Sequence, residues 1–138
     1  KRIENLPQIR HDGGDRAFYV PATDMIHMPK RDLNTFDSVE EYYAVLYHEI
    51  VHGTGHESRL NVDTVVDSDH RKGKGRGAEE LRAELGTTMV LRELGINGTY
   101  DNSIAYLKSW YEAIEQDDDL FMKAAFQAAR ATKYIMGE

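Results

Sequence analysis

The stretch YYAVLYHEIVHGTG, residues 42–55, decides how the rest of the chain is read. Upstream of it, Ser38 and Glu41 form a capping box, the signature of a helix start. Val39, Tyr42, Tyr43, Leu46, Tyr47, Ile50 and Val51 then recur at helical spacing. Gly53 and Gly55 are expected to end this helix. Inside it, His48 and His52 stand four residues apart, so both imidazoles project from one face, one turn from each other. That separation suits two ligands of one metal ion. Glu49, next to the first of them, is placed to take the proton of a water molecule activated there.

Composition narrows the chemistry further. The chain has 138 residues, 41% of them apolar and 30% charged, which is enough to bury the core of one domain. A single domain over 1–138 is expected, with about 1–16 as an N-terminal extension. There are no cysteines, so any metal must be held by His and carboxylate, and any nucleophile must be Ser, Thr, Lys, a carboxylate or activated water. The net charge of -7 argues against broad nucleic-acid binding. No apolar run reaches the roughly 18 residues of a membrane span, and no signal-peptide pattern precedes the domain, so a cytoplasmic protein without a membrane partner is expected. The start at Lys1 suggests a processed product or a domain of something longer.

Outward from the His-bearing helix, residues 17–29 (AFYVPATDMIHMP) read as two short extended segments around Pro21, a hairpin or edge strand. About 61–77 is polar and rich in Gly, without periodicity, and reads as a surface loop. A second helix is expected over about 78–94, with Leu81, Leu85, Met89 and Leu94 on its apolar face and Gly95 as C-cap. Asp101 or Asn102 would cap a third helix with the face Ile104, Leu107, Trp110, Tyr111 and Ile114. One of Asp117, Asp118 or Asp119 would cap a fourth, whose alanines allow close packing. The fold class is α+β and helix-dominated, a small strand element plus about four helices.

A tetrahedral catalytic zinc needs a third protein ligand and an open position. His56 is nearest in sequence. On a continuing helix it would stand roughly 12 Å from His48, so it could serve only by folding back past the glycines, through a turn shorter than the metzincin HExxHxxGxxH spacing. Contact with substrate, or support of a ligand, is its other reading. On the second helix Glu80 and Glu84, four apart, flank Leu81 and Leu85 on a face that should be buried, and buried carboxylates want a partner. One would ligate and the other would receive the free N–H of a ligating imidazole, with small Ala83 letting the two helices approach. Alternatively, Glu79, Glu80 and Glu84 are solvated acids favoured by the helix dipole.

The run Glu80-Leu81-Arg82-Ala83-Glu84 resembles the second helix of the gluzincin peptidases, which implies Glu80 as the ligand and Glu84 as its support. More widely, YYAVLYHEIVHGTGHESRL, AEELRAELG and NSIAYLKSWYEAIEQD, together with DMIHMP, resemble the zincin-like metallopeptidase domain of ArdC-type antirestriction proteins, also found in TraC-type primases and phage polyvalent proteins. The resemblance runs from Phe18 to Ile135. It implies a zincin-like fold with His48, His52 and a helix-borne Glu as metal site and Glu49 as catalytic base. Zn2+ is the implied metal, with Mn2+ or Co2+ as alternatives. Many members also carry an N-terminal single-stranded-DNA-binding domain, which lies outside this chain. Gly53 departs from the family, where an aromatic residue is more frequent.

The expected activity is hydrolysis of a protein or peptide substrate by metal-activated water, with Glu49 as general base and no covalent intermediate. The strand around Asp24–His27 could pair with an extended substrate, or be an ordinary edge strand. His56, Tyr100 and Tyr106 are candidates for stabilising an oxyanion. The basic run Arg71-Lys72-Gly73-Lys74-Gly75-Arg76 reads first as a solvated loop, and otherwise as a contact for DNA phosphates or an acidic substrate. Trp110 reads as packing. The alternative function is a non-proteolytic DNA-binding or antirestriction module whose metal site is mainly structural.

Overall fold

Residues 5–30, 36–98 and 100–138 are described by a computed structural model, with the backbone alone for 68 and 100–102. Three strands, β1 (Gln8–Arg10), β2 (Phe18–Val20) and β3 (Met25–His27), form one sheet in the order β1-β3-β2. β2 and β3 make the antiparallel hairpin expected around Pro21, with Phe18 opposite His27 and Val20 opposite Met25. β1 was not expected. It adds in parallel to the far side of β3, pairing Ile9 with Ile26. The strand proposed to receive substrate, Asp24–His27, therefore has neighbours on both sides and no free edge. That expectation is corrected: the edge strand on the helical side is β2.

The helices are α1 (Val39–Thr54), α2 (Asp63–Val66), α3 (Gly73–Leu94), α4 (Tyr100–Ala113) and α5 (Asp118–Met136), with a 3-10 turn at Ser68–Arg71. Ser38 caps α1 by accepting from the Glu41 N–H at 3.1 Å, while Glu41 reaches back one residue farther than a capping box requires, to the Asp37 N–H. Asp117 caps α5, accepting from Leu120 N–H, and Gly95 ends α3 with a φ of 72°, a left-handed turn suited to glycine. Helix α1 runs through Gly53 and is capped at Gly55. The expected cap at Asp101 or Asn102 concerns side chains outside the described residues.

The segment 61–77 is not a loop. It holds α2, the 3-10 turn and the first turn of α3. Gly75 and Gly77 mark close approach rather than flexibility: a Cβ on Gly75 would collide with the His70 carbonyl, and one on Gly77 would lie 2.6 Å from Ile114 Cγ2, whereas Gly73 is there for its left-handed φ of 54°.

Helix α3 lies between α1, α4 and α5. Small residues let it do so. Val51 of α1, Ala83 of α3 and Ala131 of α5 share one fully buried cluster, and Gly86 would, with a Cβ, touch Val51 at 3.0 Å. Leu81, Ile114 and Ala124 join α3 to the α4–α5 corner. The third cluster, Ile26, Met28 and Ile50, seats α1 on the sheet. Two of the clusters fix α1, one against α3 and one against the sheet. The site lies at that junction.

Candidate metal centre

The helical spacing of His48 and His52 brings their Nε2 atoms to 3.1 Å of each other. Glu80, from α3, turns its carboxylate to both: Oε1 is 3.2 Å from His48 Nε2 and Oε2 is 3.2 Å from His52 Nε2. Bonds of about 2.0–2.1 Å from one tetrahedral ion leave neighbouring ligand atoms roughly 3.3 Å apart, so these three donors fit a single small divalent cation.

The other ring nitrogens are committed elsewhere. His48 Nδ1–H donates to Glu84 Oε1 at 2.9 Å, and His52 Nδ1–H donates to Glu79 Oε2 at 2.7 Å. With a proton fixed on each Nδ1, the neutral imidazoles that bind a cation turn their Nε2 lone pairs to the shared point. Burial alone would depress both imidazoles. Hydrogen bonds to Glu80 and Glu84 outweigh it for His48 and raise it to about 9, and Glu79 and Glu80 hold His52 well above the usual imidazole range. Burial would raise Glu80, yet the two imidazoles bring its carboxyl below the ordinary carboxylate range. Without an ion the cluster is thus held by carboxylate–imidazolium attraction, and a cation must displace protons to enter.

Glu79 and Arg82 were not singled out from the sequence. Glu79 receives His52 Nδ1–H, Thr64 Oγ1–H at 2.7 Å, and Nε and Nη2 of Arg82 at 2.8 Å each. Burial opposes its ionisation, but the Arg82 charge and these bonds bring its carboxyl down to about 2. Arg82 is 1% exposed. It also donates to the carbonyls of Val51 and His52 and to Thr54 Oγ1, so one guanidinium ties the end of α1 to the carboxylate that orients His52. The retrievable signal is an opposite-charge pair at i,i+3 on the same face as Ala83 and Gly86. Removing a buried ion-pair partner strands the other charge. Arg82→Leu is expected to lower unfolding stability by about 3–5 kcal/mol, measured by urea denaturation of the metal-free protein.

Glu49, 8% exposed, offers a carboxylate oxygen within 4.8 Å of the nearest ligand nitrogens of His48 and His52 without pairing with either. It lines two adjoining cavities. One, of about 340 Å³, is walled by Val45, Tyr106 and Trp110; the other, of about 460 Å³, by β2 and by arginines. Tyr106 therefore borders the site, and Trp110 both packs in the core and faces the cleft. Tyr100 has its side chain outside the described residues.

His56 is not brought to the centre. Its N–H continues the turn to Gly53 O and its Nδ1 pairs with Ser58 Oγ, on a separate cavity beside Pro21 and Val65. Asp24 does not face substrate either: Arg59 grips it through two bonds of 2.7 and 2.8 Å, and Tyr19 donates a third. The ring expected by the resemblance at Gly53 has no room, because a Cβ there would strike Pro7 and lie 3.4 Å from the Tyr19 ring.

A histidine pair on one helix, a carboxylate on the next and a small sheet beside them define a zincin-like architecture. The chain belongs to the zincin-like metallopeptidase family, whose model matches residues 4–127. It is 40% identical over 129 residues to DNA primase TraC of Escherichia coli, spanning 93% of this chain and 12% of that protein. It is 32% identical over 128 residues to the uncharacterized protein y4eC of Sinorhizobium fredii (strain NBRC 101917 / NGR234), covering 92% of this chain and 40% of the relative. The Mn(II)-bound crystal structure of a plasmid-encoded antirestriction ArdC protein superposes with a TM-score of 0.72 at 38% identity, covering 96% of this chain and 47% of that one. The metal-free ArdC structure gives the same TM-score at 40% identity, covering 94% and 45%. The chain thus spans less than half the length of each of these proteins. No helix among the described residues is long and apolar enough to cross a membrane.

Proposed function

We infer that this domain is a metal-dependent peptide hydrolase in which His48, His52 and Glu80 hold one divalent cation and Glu49 is the general base. The observation that carries the reading is the convergence of two Nε2 atoms and one carboxylate at 3.1–3.2 Å, beside a Glu49 that faces open cavities. Zn2+ suits this nitrogen and oxygen donor set, with Mn2+ and Co2+ as alternatives. Such an ion supplies polarisation of a carbonyl and acidification of water.

The residues do the rest. Glu49 accepts a proton from water and delivers it to the departing amine, with no covalent intermediate. Glu79 and Glu84 keep the imidazoles in the required tautomer. β2 is hydrogen-bonded only to β3 among the described strands, which leaves its other edge to align an extended peptide along the cleft. Tyr106, on the wall of the cavity that Glu49 lines, is the residue we assign to donate to a developing oxyanion.

The test is a peptide library incubated with zinc-loaded and chelator-stripped protein and read by mass spectrometry. Cleavage is expected in the loaded sample alone and is restored by zinc; no cleavage in either overturns hydrolysis. The relatives' printed roles, antirestriction and DNA priming, favour a second reading, a mobile-element module that occludes a restriction enzyme or binds DNA around a structural ion. Single-stranded DNA would then be met through another part of a longer protein, in the cytoplasm.

A further inference from the structure

We propose that the cavity on the β2 side of the centre is a subsite for an acidic side chain, Asp or Glu, next to the scissile bond of the substrate. The proposal rests on the hydrolytic reading of the same centre and adds a substrate class to it.

Three arginines, Arg16, Arg71 and Arg76, line that cavity of about 460 Å³. They come from three separate places: the segment before β2, the 3-10 turn, and the first turn of α3. In a chain of net charge -7 their convergence on one wall is a local inversion of sign. None of the three has a carboxylate partner among the described residues, whereas Arg59 and Arg82 each grip one. Two are held by aromatic faces instead. The Arg16 guanidinium lies 5.7 Å from the Phe18 ring centroid and that of Arg76 lies 6.0 Å from the Trp110 centroid.

The acids bordering the same cavity do not cancel these charges. Glu79 is consumed by Arg82 and His52, Glu80 faces the two imidazoles, and Glu49, the third, stands where the two cavities meet, so one unpaired carboxylate is set against three arginines. The adjoining cavity is different in kind, with Val45, Tyr106 and Trp110 on its walls. A peptide lying across Glu49 therefore meets cations on one side and, on the other, a wall without Arg or Lys on which Val45, Tyr106 and Trp110 stand beside Glu41 and Glu84. That contrast favours an acidic residue and a bulky apolar one on opposite sides of the cleaved bond. The basic run of residues 71–76 thus has a place in the site, because the 3-10 turn and the start of α3 fold Arg71 and Arg76 onto it.

The experiment uses zinc-loaded Glu49→Gln protein, so that binding is read without turnover. Its probes are two fluorescein-labelled peptides with blocked ends, identical except for Glu or Gln at one central position beside a Phe. Anisotropy titration is expected to show about tenfold tighter binding of the Glu peptide, as three partly exposed charge contacts would give. Adding Arg16→Ala, Arg71→Ala and Arg76→Ala should abolish the preference. Arg71→Glu alone, at an exposed position without a hydrogen-bond partner among the described residues, guards against misfolding and should shrink the preference for the Glu peptide, because an anion then stands beside Arg16 and Arg76. Equal binding of both peptides, or a preference that survives the arginine changes, overturns the proposal. So does arginine-dependent binding of a dT oligonucleotide without discrimination between the peptides. If wild type cleaves nothing in the library, hydrolysis fails as a reading, while the anisotropy result still decides the subsite.

Discussion

Glu49→Gln is expected to lower kcat for peptide hydrolysis by about 10²–10⁴-fold while the domain keeps its ion. The change is nearly isosteric at a residue 8% exposed, so packing around α1 is preserved. Glu49 pairs with neither imidazole, and the Nε2 atoms and the Glu80 carboxylate that converge at 3.1–3.2 Å are untouched. What disappears is a group able to accept a proton at the cleft, since an amide cannot. Measuring kcat beside metal content by plasma mass spectrometry separates the two roles. A variant that cleaves at the wild-type rate would show that Glu49 is not the base. A variant that loses the ion would make it a ligand.

The side chains of the candidate site were more legible in the sequence than the surroundings that hold them. His48 and His52 could be read because helical spacing alone puts them on one face, and Ser38 marks the helix that makes the spacing meaningful. Glu80 and Glu84 were legible as acids on an otherwise apolar face. Glu79 and Arg82 were not, because helical pattern reading treats charges as solvent-facing. Here the two neutralise one another inside the core, and only the three-dimensional position of His52 reveals why. The segment 61–77 misled for a related reason: glycine suggests a loop, and the sequence does not disclose that Gly75 and Gly77 are small because His70 and Ile114 press on them. β1 is only three residues long, too short for a pattern to stand out, so nothing in the sequence announced that it would cover the far edge of β3 and leave β2 as the edge strand beside α1.

Glu80→Ala is expected to leave no ion bound after dialysis, whereas His56→Ala retains the wild-type complement. Among the described residues Glu80 is the one whose carboxylate lies within 3.2 Å of both Nε2 atoms, so its removal takes away a direct donor and the negative charge that favours a cation over protons. Loss of an outer carboxylate should cost less. Glu84→Gln and Glu79→Gln each replace a charged acceptor for Nδ1–H by a neutral amide carbonyl but leave the Nε2 lone pairs in place, and a change of about 10–100-fold in affinity is expected for each. Glu79→Gln carries a second effect, because Arg82 then sits buried without its counter-charge. Its fold should weaken as well as its affinity, while Glu84→Gln weakens affinity alone. Competition against a chromogenic zinc chelator gives the affinities, and urea melts of the stripped proteins give the stabilities. Retention of the ion by Glu80→Ala with loss in Glu84→Ala would exchange the roles of the two acids on α3, and loss in His56→Ala would require the turn after Gly55 to fold back onto α1.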